Sequence, residues 1–203
     1  MRIWICSLSM ACLAATALGL LVCLPGCAPR AYRVETHTND DGTVVTGMIG
    51  GEMALYRPEA YGSSYRAPGK HGPSAWCGIE LQSSQDVNGR VTCHILLTIR
   101  STGGEAMGSC LDMSRAVSLS LNIDGRPVLL WPEEDQSGHQ ETATWRYPVS
   151  TDILRELADG PEVVDLTLSN EGGTLVGACG TRIFEQFFEE CVSPARRSTN
   201  GRQ

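Results

Sequence analysis

The side chains best suited to nucleophilic or metal-binding chemistry in this sequence are nine cysteines and four histidines. No Cys-x-x-Cys pair occurs, and the histidines are too scattered along the chain to give the ligand spacing of a zinc site. A Gly-x-Ser-x-Gly turn and a Gly-rich phosphate loop are also missing. The sequence therefore predicts no metal site, no cofactor and no catalytic constellation. The four histidines are His37, His71, His94 and His139.

The adjacent residues Cys93 and His94 would suit a nucleophile and its base only if both side chains faced the same way. They fall in a run, Val91 to Ile99, in which apolar and polar residues alternate as they do in a half-buried strand. Neighbouring residues of a strand point to opposite faces of the sheet. We therefore expect a buried Cys93 beside an exposed His94, rather than a catalytic pair.

An apolar run follows Arg2 and ends in the four residues Leu24, Pro25, Gly26 and Cys27. A charged start followed by an apolar segment is typical of a secretory signal. The last four residues resemble the lipobox of bacterial lipoproteins, with proline where that family more often has a small aliphatic or hydroxyl residue. The resemblance implies that residues 1–26 are removed and that Cys27 carries a lipid on its sulfur. The alternative is that Cys27 is one more small apolar residue of the leader, like Cys23.

The residue after the lipobox cysteine is Ala28, whereas an aspartate at this place commonly retains such lipoproteins in the inner membrane. The resemblance therefore implies the outer membrane rather than the inner one, with the soluble part in the periplasm or at the cell surface. Each buried methylene contributes about 0.8 kcal/mol, so two or three acyl chains would hold the protein firmly. The membrane is thus one predicted partner.

The chain has a formal net charge of −7 at pH 7, and removal of residues 1–26 would take away only one charged residue, Arg2. Non-specific binding to nucleic acid needs a basic surface that displaces counterions from the phosphates. The charge balance therefore argues against a nucleic-acid partner.

Changes in composition divide the chain into four predicted segments. They are a signal peptide over 1–26, a flexible tether over 27–75, a globular domain over 76–191 and a disordered polar tail over 192–203. The tether is rich in glycine and proline, and it contains a possible hairpin around Asn39–Gly42. Three tyrosines in it, Tyr56, Tyr61 and Tyr65, would form either a docking strip or part of a flexible linker.

The globular segment predicts an α+β fold, an antiparallel sheet of five to seven strands with two amphipathic helices packed on it. Its strongest local signal is Asp124–Gly125 between two alternating runs, which predicts a two-residue hairpin turn that pairs Ile123 with Arg126. One helix should begin at Ser150 or Thr151 and end before Gly160. The other should begin at Thr181 and place all three phenylalanines on one stripe.

Five cysteines of the mature chain are disulfide candidates, since exported proteins meet oxidising conditions. Cys77 and Cys93 should point to the same face of two neighbouring predicted strands, so they are the first candidate pair. A continuous helix before Cys191 would hold it about 16 Å from Cys179, too far for a disulfide. Each of these two would then need another partner, such as Cys110. The candidates are Cys77, Cys93, Cys110, Cys179 and Cys191.

The sequence favours a non-catalytic envelope lipoprotein, a binding or structural module that holds an envelope protein near the membrane. The alternative is a small envelope hydrolase or redox enzyme whose site is assembled from dispersed residues. Trp131 is relevant to both functions. It follows the last residue of a strand and should point away from the buried Leu130. It would either belong to a ligand-binding patch or pack under the second helix.

Overall fold

The alternating sequence patterns produce ten strands, and the helical patterns two α-helices, among the residues described by a computed structural model of the chain. These residues are 32–58, 73–101, 111–112, 114–133, 137–139 and 142–193, and they all fall within one unit that begins at Tyr32. The predicted signal peptide, Cys27 and Cys110 lie outside them. The elements are β1 Arg33–Thr38, β2 Val44–Leu55, β3 Ala75–Gln85, β4 Val91–Ser101, β5 Ser118–Ile123, β6 Arg126–Leu130, β7 Ser137–His139, β8 Thr142–Val149, α1 Thr151–Asp159, β9 Val163–Asn170, β10 Gly173–Gly180 and α2 Arg182–Phe187, which continues as a π-helix over Phe188–Val192.

The strands form two antiparallel sheets, which confirms the α+β class. Sheet A has six strands in the order β1-β2-β3-β4-β8-β7, and sheet B has four in the order β10-β9-β5-β6. The six strands of sheet A lie within the predicted five to seven, and sheet B is a second sheet that the prediction did not include. The apolar faces of the two sheets pack on each other and bury one shared hydrophobic cluster, a sheet-on-sheet arrangement that a strand count cannot reveal.

The core is centred on large aromatic side chains from sheet A and from α2. Trp145 and Tyr147 of β8 and Phe184 and Phe187 of α2 are all fully buried. The hydroxyl group of Tyr147 donates a hydrogen bond of 3.0 Å to the carbonyl oxygen of Val117, which leads into sheet B. This bond satisfies a buried polar group and joins the two sheets inside the core.

The N-terminal hairpin belongs to the folded unit, so the predicted tether over 27–75 is wrong for residues 32–58. The predicted turn over Asn39–Gly42 forms, with Gly42 at a φ of 81°. The second strand of this hairpin, β2, pairs along most of its length with β3 of the predicted domain. Its residues Met48 and Leu55 are fully buried. The domain therefore starts well before Trp76, because backbone pairing and a few inward side chains suffice to order a glycine-rich strand.

The hairpin of β5 and β6 has the predicted turn and register. Ile123 pairs with Arg126 and Leu121 with Val128, and the two turn residues have positive φ values of 50° at Asp124 and 80° at Gly125. These angles are those of a type I′ turn, whose twist matches that of the flanking strands.

The two helices occupy the predicted places. The hydroxyl oxygen of Ser150 accepts a hydrogen bond of 3.2 Å from the amide of Ile153, so it is the N-cap of α1. Thr181 does not cap α2 with its side chain, because its hydroxyl donates to the carbonyl oxygen of Pro161 at 2.6 Å. Val192 is fully buried, so the folded part extends past the predicted boundary at residue 191. None of the described helices has the length and apolarity needed to span a bilayer.

We predict that Gly125→Ala lowers the free energy of unfolding by about 1–2 kcal/mol, because a Cβ is disfavoured at its φ of 80°. A Cβ at Gly125 or at Gly51 would meet no atom within 4 Å, but Gly51 does not have a positive φ. Gly51→Ala is therefore a matched control that should change stability by less than about 0.5 kcal/mol. Urea unfolding of both variants measures the difference, and equal stabilities would contradict the proposed turn.

Candidate functional site

Three polar side chains from separate parts of the chain meet on the outer face of sheet A. They are His94 on β4, Arg146 on β8, and Glu133 in the segment after β6. The register of β4 and β8 pairs His94 with Pro148, which brings Arg146 within reach of the ring. The amide of Glu133 donates a hydrogen bond of 2.8 Å to the carbonyl oxygen of Arg146, so the segment after β6 is held against β8.

Both ring nitrogens of His94 are engaged in this cluster. Nη2 of Arg146 lies 3.1 Å from Nδ1, and Oε1 of Glu133 lies 3.2 Å from Nε2. Arginine can only donate, so Nδ1 accepts and the ring proton is on Nε2, which donates to the carboxylate. Nε of Arg146 also lies 3.5 Å from Oε2 of Glu133, within ion-pair distance. The imidazole is therefore a bridge between a cation and an anion.

The environment of His94 favours its neutral form. The residue is only 6% exposed, so the prediction of an exposed histidine is wrong: the segment carrying Glu133 covers it. Burial and the nearby Arg146 guanidinium lower the pKa of His94, and the Glu133 carboxylate opposes them only in part. At neutral pH the ring is thus uncharged.

A cavity of about 660 Å³ adjoins this cluster. It is bordered by the turn between β3 and β4, by the last residues of β8, and by Ser150 and Thr151 at the start of α1. His94 and Glu133 form part of its wall. The cavity therefore brings a histidine and a carboxylate together, which is two parts of the constellation that an enzyme would need.

The cysteine that neighbours His94 in sequence does not join this cluster. Cys93 is only 3% exposed and lies on the core face of β4, as predicted. Its cross-strand neighbour on β3 is Ser83, whereas Cys77 lies opposite Ile99. Cys77 is therefore about 20 Å along the strand from the position opposite Cys93. The predicted Cys77–Cys93 disulfide is wrong, because the centre of the hairpin turn falls three residues later than this pairing needs.

The remaining described cysteines, Cys77, Cys179 and Cys191, are free thiols in the core. Burial raises the pKa of Cys77 to about 12, and that of Cys179 and of Cys191 to about 11. A thiolate is the reactive form of cysteine, so these protonated thiols are poor nucleophiles. Cys110, the fifth disulfide candidate, lies outside the described residues.

The other three histidines lie elsewhere in the sequence, and His37 is the one whose side chain is described. His37 is exposed on the edge strand β1, His139 is on the short strand β7, and His71 lies outside the described residues. In the described ranges, no group of three or more His, Cys, Asp or Glu side chains is arranged to hold a metal ion.

Sequence reasoning missed Arg146 and Glu133 as partners of His94. They are 52 and 39 residues away from it in sequence, so their proximity depends on the pairing of β4 with β8. The available signal was the alternation along β8, in which Arg146 falls between the inward-facing residues Trp145 and Tyr147 and should therefore face outward. This alternation predicts a cation on the outer face of the sheet, but it does not predict which strand pairs with β8.

Comparison with known proteins does not assign this chain, since no family model matches it and no curated protein matches it.

We predict that His94 makes stability depend on pH. Its folded-state pKa lies below the 6.5 of an unperturbed histidine, so the unfolded chain takes up a proton first as the pH falls. The contribution of the neutral His94 to the free energy of unfolding is fully present above about pH 6.5, and it is lost as the pH falls through the folded-state pKa. Urea unfolding at pH 7.5 and 5.5 should show a smaller loss of stability in His94→Gln than in the wild type. His37→Gln, at an exposed site, should behave like the wild type, and equal losses in all three proteins would contradict the prediction.

We also predict that Cys77, Cys179 and Cys191 resist a maleimide reagent in the native chain and react only when the chain unfolds. The reasons are their burial and their raised pKa values. Peptide mapping by mass spectrometry would report each site separately, with and without denaturant. Val87→Cys supplies an exposed reference thiol, because Val87 is 70% exposed in the turn between β3 and β4. Labelling of any of the three at the rate of the reference would refute this burial.

Proposed function

We propose that this chain is a lipid-anchored protein of the bacterial cell envelope whose folded part is a non-catalytic binding module. The lipobox resemblance at Leu24–Cys27 supports the anchor. The observation that carries the non-catalytic part is the state of His94, the histidine beside the larger described cavity. Both of its nitrogens are occupied by neighbouring side chains, so it is poorly placed to take a proton from a substrate.

The folded unit would lie close to the membrane in this proposal. Arg33, the first residue of β1, follows Cys27 by six residues, and an extended segment of this length spans at most about 20 Å. A long flexible tether is therefore not part of the proposal. Lipidation would place the module beside the bilayer, in the outer membrane and facing the periplasm or the cell surface.

A second candidate function, a small envelope hydrolase or redox enzyme, draws support from the His94–Glu133 pair beside the cavity. The occupied Nδ1 of His94 counts against it, as does the burial of Cys93, which borders the same cavity but is only 3% exposed. Such an enzyme would carry a reactive nucleophile, so labelling of the native chain by a serine- or cysteine-directed activity probe would favour it.

We predict that Cys27→Ser abolishes lipidation, because the lipid is attached to the sulfur of this residue. Cells would be fed an alkyne fatty acid, and the membrane fraction would be washed with high salt. The wild type should carry the label and a modified N-terminal Cys27, whereas Cys27→Ser should lose at least 90% of the label. Cys23→Ser, four residues earlier in the leader, is the matched control and should be labelled normally. An unmodified Cys27 in the wild type, or persistent label in Cys27→Ser, would overturn the proposal.

A further inference from the structure

A cleft of about 610 Å³ lies on the outer surface of sheet B, and it shares no lining residue with the cavity beside His94. It is formed where β5 begins and where β6 and β9 end. Trp131 is one of its lining residues and is 60% exposed, so it does not pack under α2. The lining residues are Arg115, Ala116, Ser118, Trp131, Ser169, Asn170 and Glu171.

The floor of the cleft presents hydroxyl groups. Ser118 lies on β5 and Ser169 on the neighbouring strand β9, and the two residues are paired in the sheet register. The hydroxyl of Ser118 donates to the carbonyl oxygen of Ser169 at 3.0 Å, and Oγ of Ser169 lies 3.1 Å from Oγ1 of Thr174. Each hydroxyl oxygen has two lone pairs, so these groups retain capacity to accept hydrogen bonds from a ligand.

The rim of the cleft is held rigidly. The side-chain amide of Asn170 donates to the carbonyl oxygen of Asp112 at 2.6 Å and accepts from the amide of Asp112 at 3.2 Å and from that of Gly172 at 2.9 Å. A Cβ at Gly172 would lie 2.5 Å from the backbone nitrogen of Asp112, so the two segments approach as closely as glycine permits. The residues before β5 are therefore fixed on the turn between β9 and β10.

The charged lining residues of the cleft are one cation, Arg115, and one anion, Glu171, and the carboxylate of Asp112 lies beside them. The guanidinium of Arg115 contacts two carboxylates, that of Asp112 at 3.1 Å and that of Glu171. Hydrogen bonds from Ser114 and then the charge of Arg115 lower the pKa of Asp112, so it is ionised at neutral pH. One cation against two anions disfavours a polyanion such as a nucleic acid or a phosphorylated lipid headgroup. A neutral ligand fits this charge distribution.

We propose that the Trp131 cleft binds a neutral glycan. A pyranose ring has an apolar face of C–H groups, which stacks on the electron-rich face of an indole, and hydroxyl groups around its edge. Here the stacking surface stands beside side chains that both donate and accept hydrogen bonds. A proline-rich peptide would need a groove lined by several aromatic rings, and Trp131 is the one aromatic among the described lining residues.

This inference rests on the proposed binding function and names the ligand class of the module. The probes are neutral oligosaccharides: tetramers of β-1,4-linked glucose, β-1,4-linked N-acetylglucosamine, α-1,4-linked glucose and α-linked mannose. The full-length chain, in a detergent without sugar headgroups, would be screened against them on an array. Isothermal titration calorimetry would then measure the affinity for the best-bound tetramer.

We expect Trp131→Ala to weaken binding at least tenfold, and Trp131→Phe to stay within about threefold of the wild type because a smaller ring still stacks. Two control variants should bind within twofold of the wild type. Trp76→Ala removes an indole that is 41% exposed on sheet A, and Leu129→Ala removes an apolar side chain that is 56% exposed on β6, the strand that Trp131 follows. Thermal unfolding would verify that each variant is folded.

The inference is overturned if no tetramer binds, if Leu129→Ala weakens binding as much as Trp131→Ala does, or if a proline-rich peptide binds in a Trp131-dependent way in place of the glycans. Mass spectrometry of Cys27 on the same preparation separates this result from the proposed function. A modified Cys27 with no glycan binding would remove the ligand class and leave the anchored module standing.

Discussion

The burial of one hydrophobic core between the two sheets is the constraint on which the rest of the fold depends, and backbone hydrogen bonds close this core at two seams. At one seam Tyr56, just after β2, forms a bridge with Val176 of β10, with N···O distances of 2.9 and 2.8 Å. At the other, the amide of Glu133 after β6 reaches the carbonyl oxygen of Arg146 on β8. Each seam joins an edge strand of sheet B to sheet A. The apolar faces are therefore closed over a shared core, and backbone groups that would be unpaired at these edges are satisfied.

Glycines permit the close approach that the first seam requires. A Cβ at Gly177 would lie 2.7 Å from Cδ2 of Leu55 and 3.0 Å from the carbonyl oxygen of Ala54, so any other residue would force the Leu55 side chain or β10 to shift. At the β2 bulge, a Cβ at Gly50 would lie 2.7 Å from Cγ2 of Ile79, and Ile183 of α2 occupies the same space. The glycine content that made residues 27–75 look like a tether thus serves packing in β2. Composition alone cannot separate a flexible glycine from one that makes room for a neighbour.

Several local signals in the sequence were informative, although Thr181 does not cap α2 with its side chain. The Asp124–Gly125 turn, the parity of Cys93 and the cap at Ser150 each depend on a few consecutive residues, and each was predicted correctly. Long-range pairing was not accessible in this way. The position of one turn decides whether Cys77 faces Cys93 or Ile99, and the contact of His94 with Arg146 needs the order of strands in sheet A. The Trp131 cleft likewise combines residues of β5, β6 and β9 that are far apart in sequence, so the sequence indicated Trp131 as a candidate but not the cleft around it.

The topology separates β1, where the chain enters the described fold, from the proposed ligand cleft. The anchor would enter at β1, which lies beside β2 at one edge of sheet A. The first seam places β10 near this side, whereas β6 is the opposite edge of sheet B and is tied to β8 by the second seam. Trp131 follows β6 directly, so the cleft opens on the side of the domain away from β1. A short link to a lipid at β1 would hold one edge of the domain at the bilayer and leave the opposite edge facing the aqueous space. An extended polymer outside the membrane could therefore reach the cleft without displacing the anchored edge.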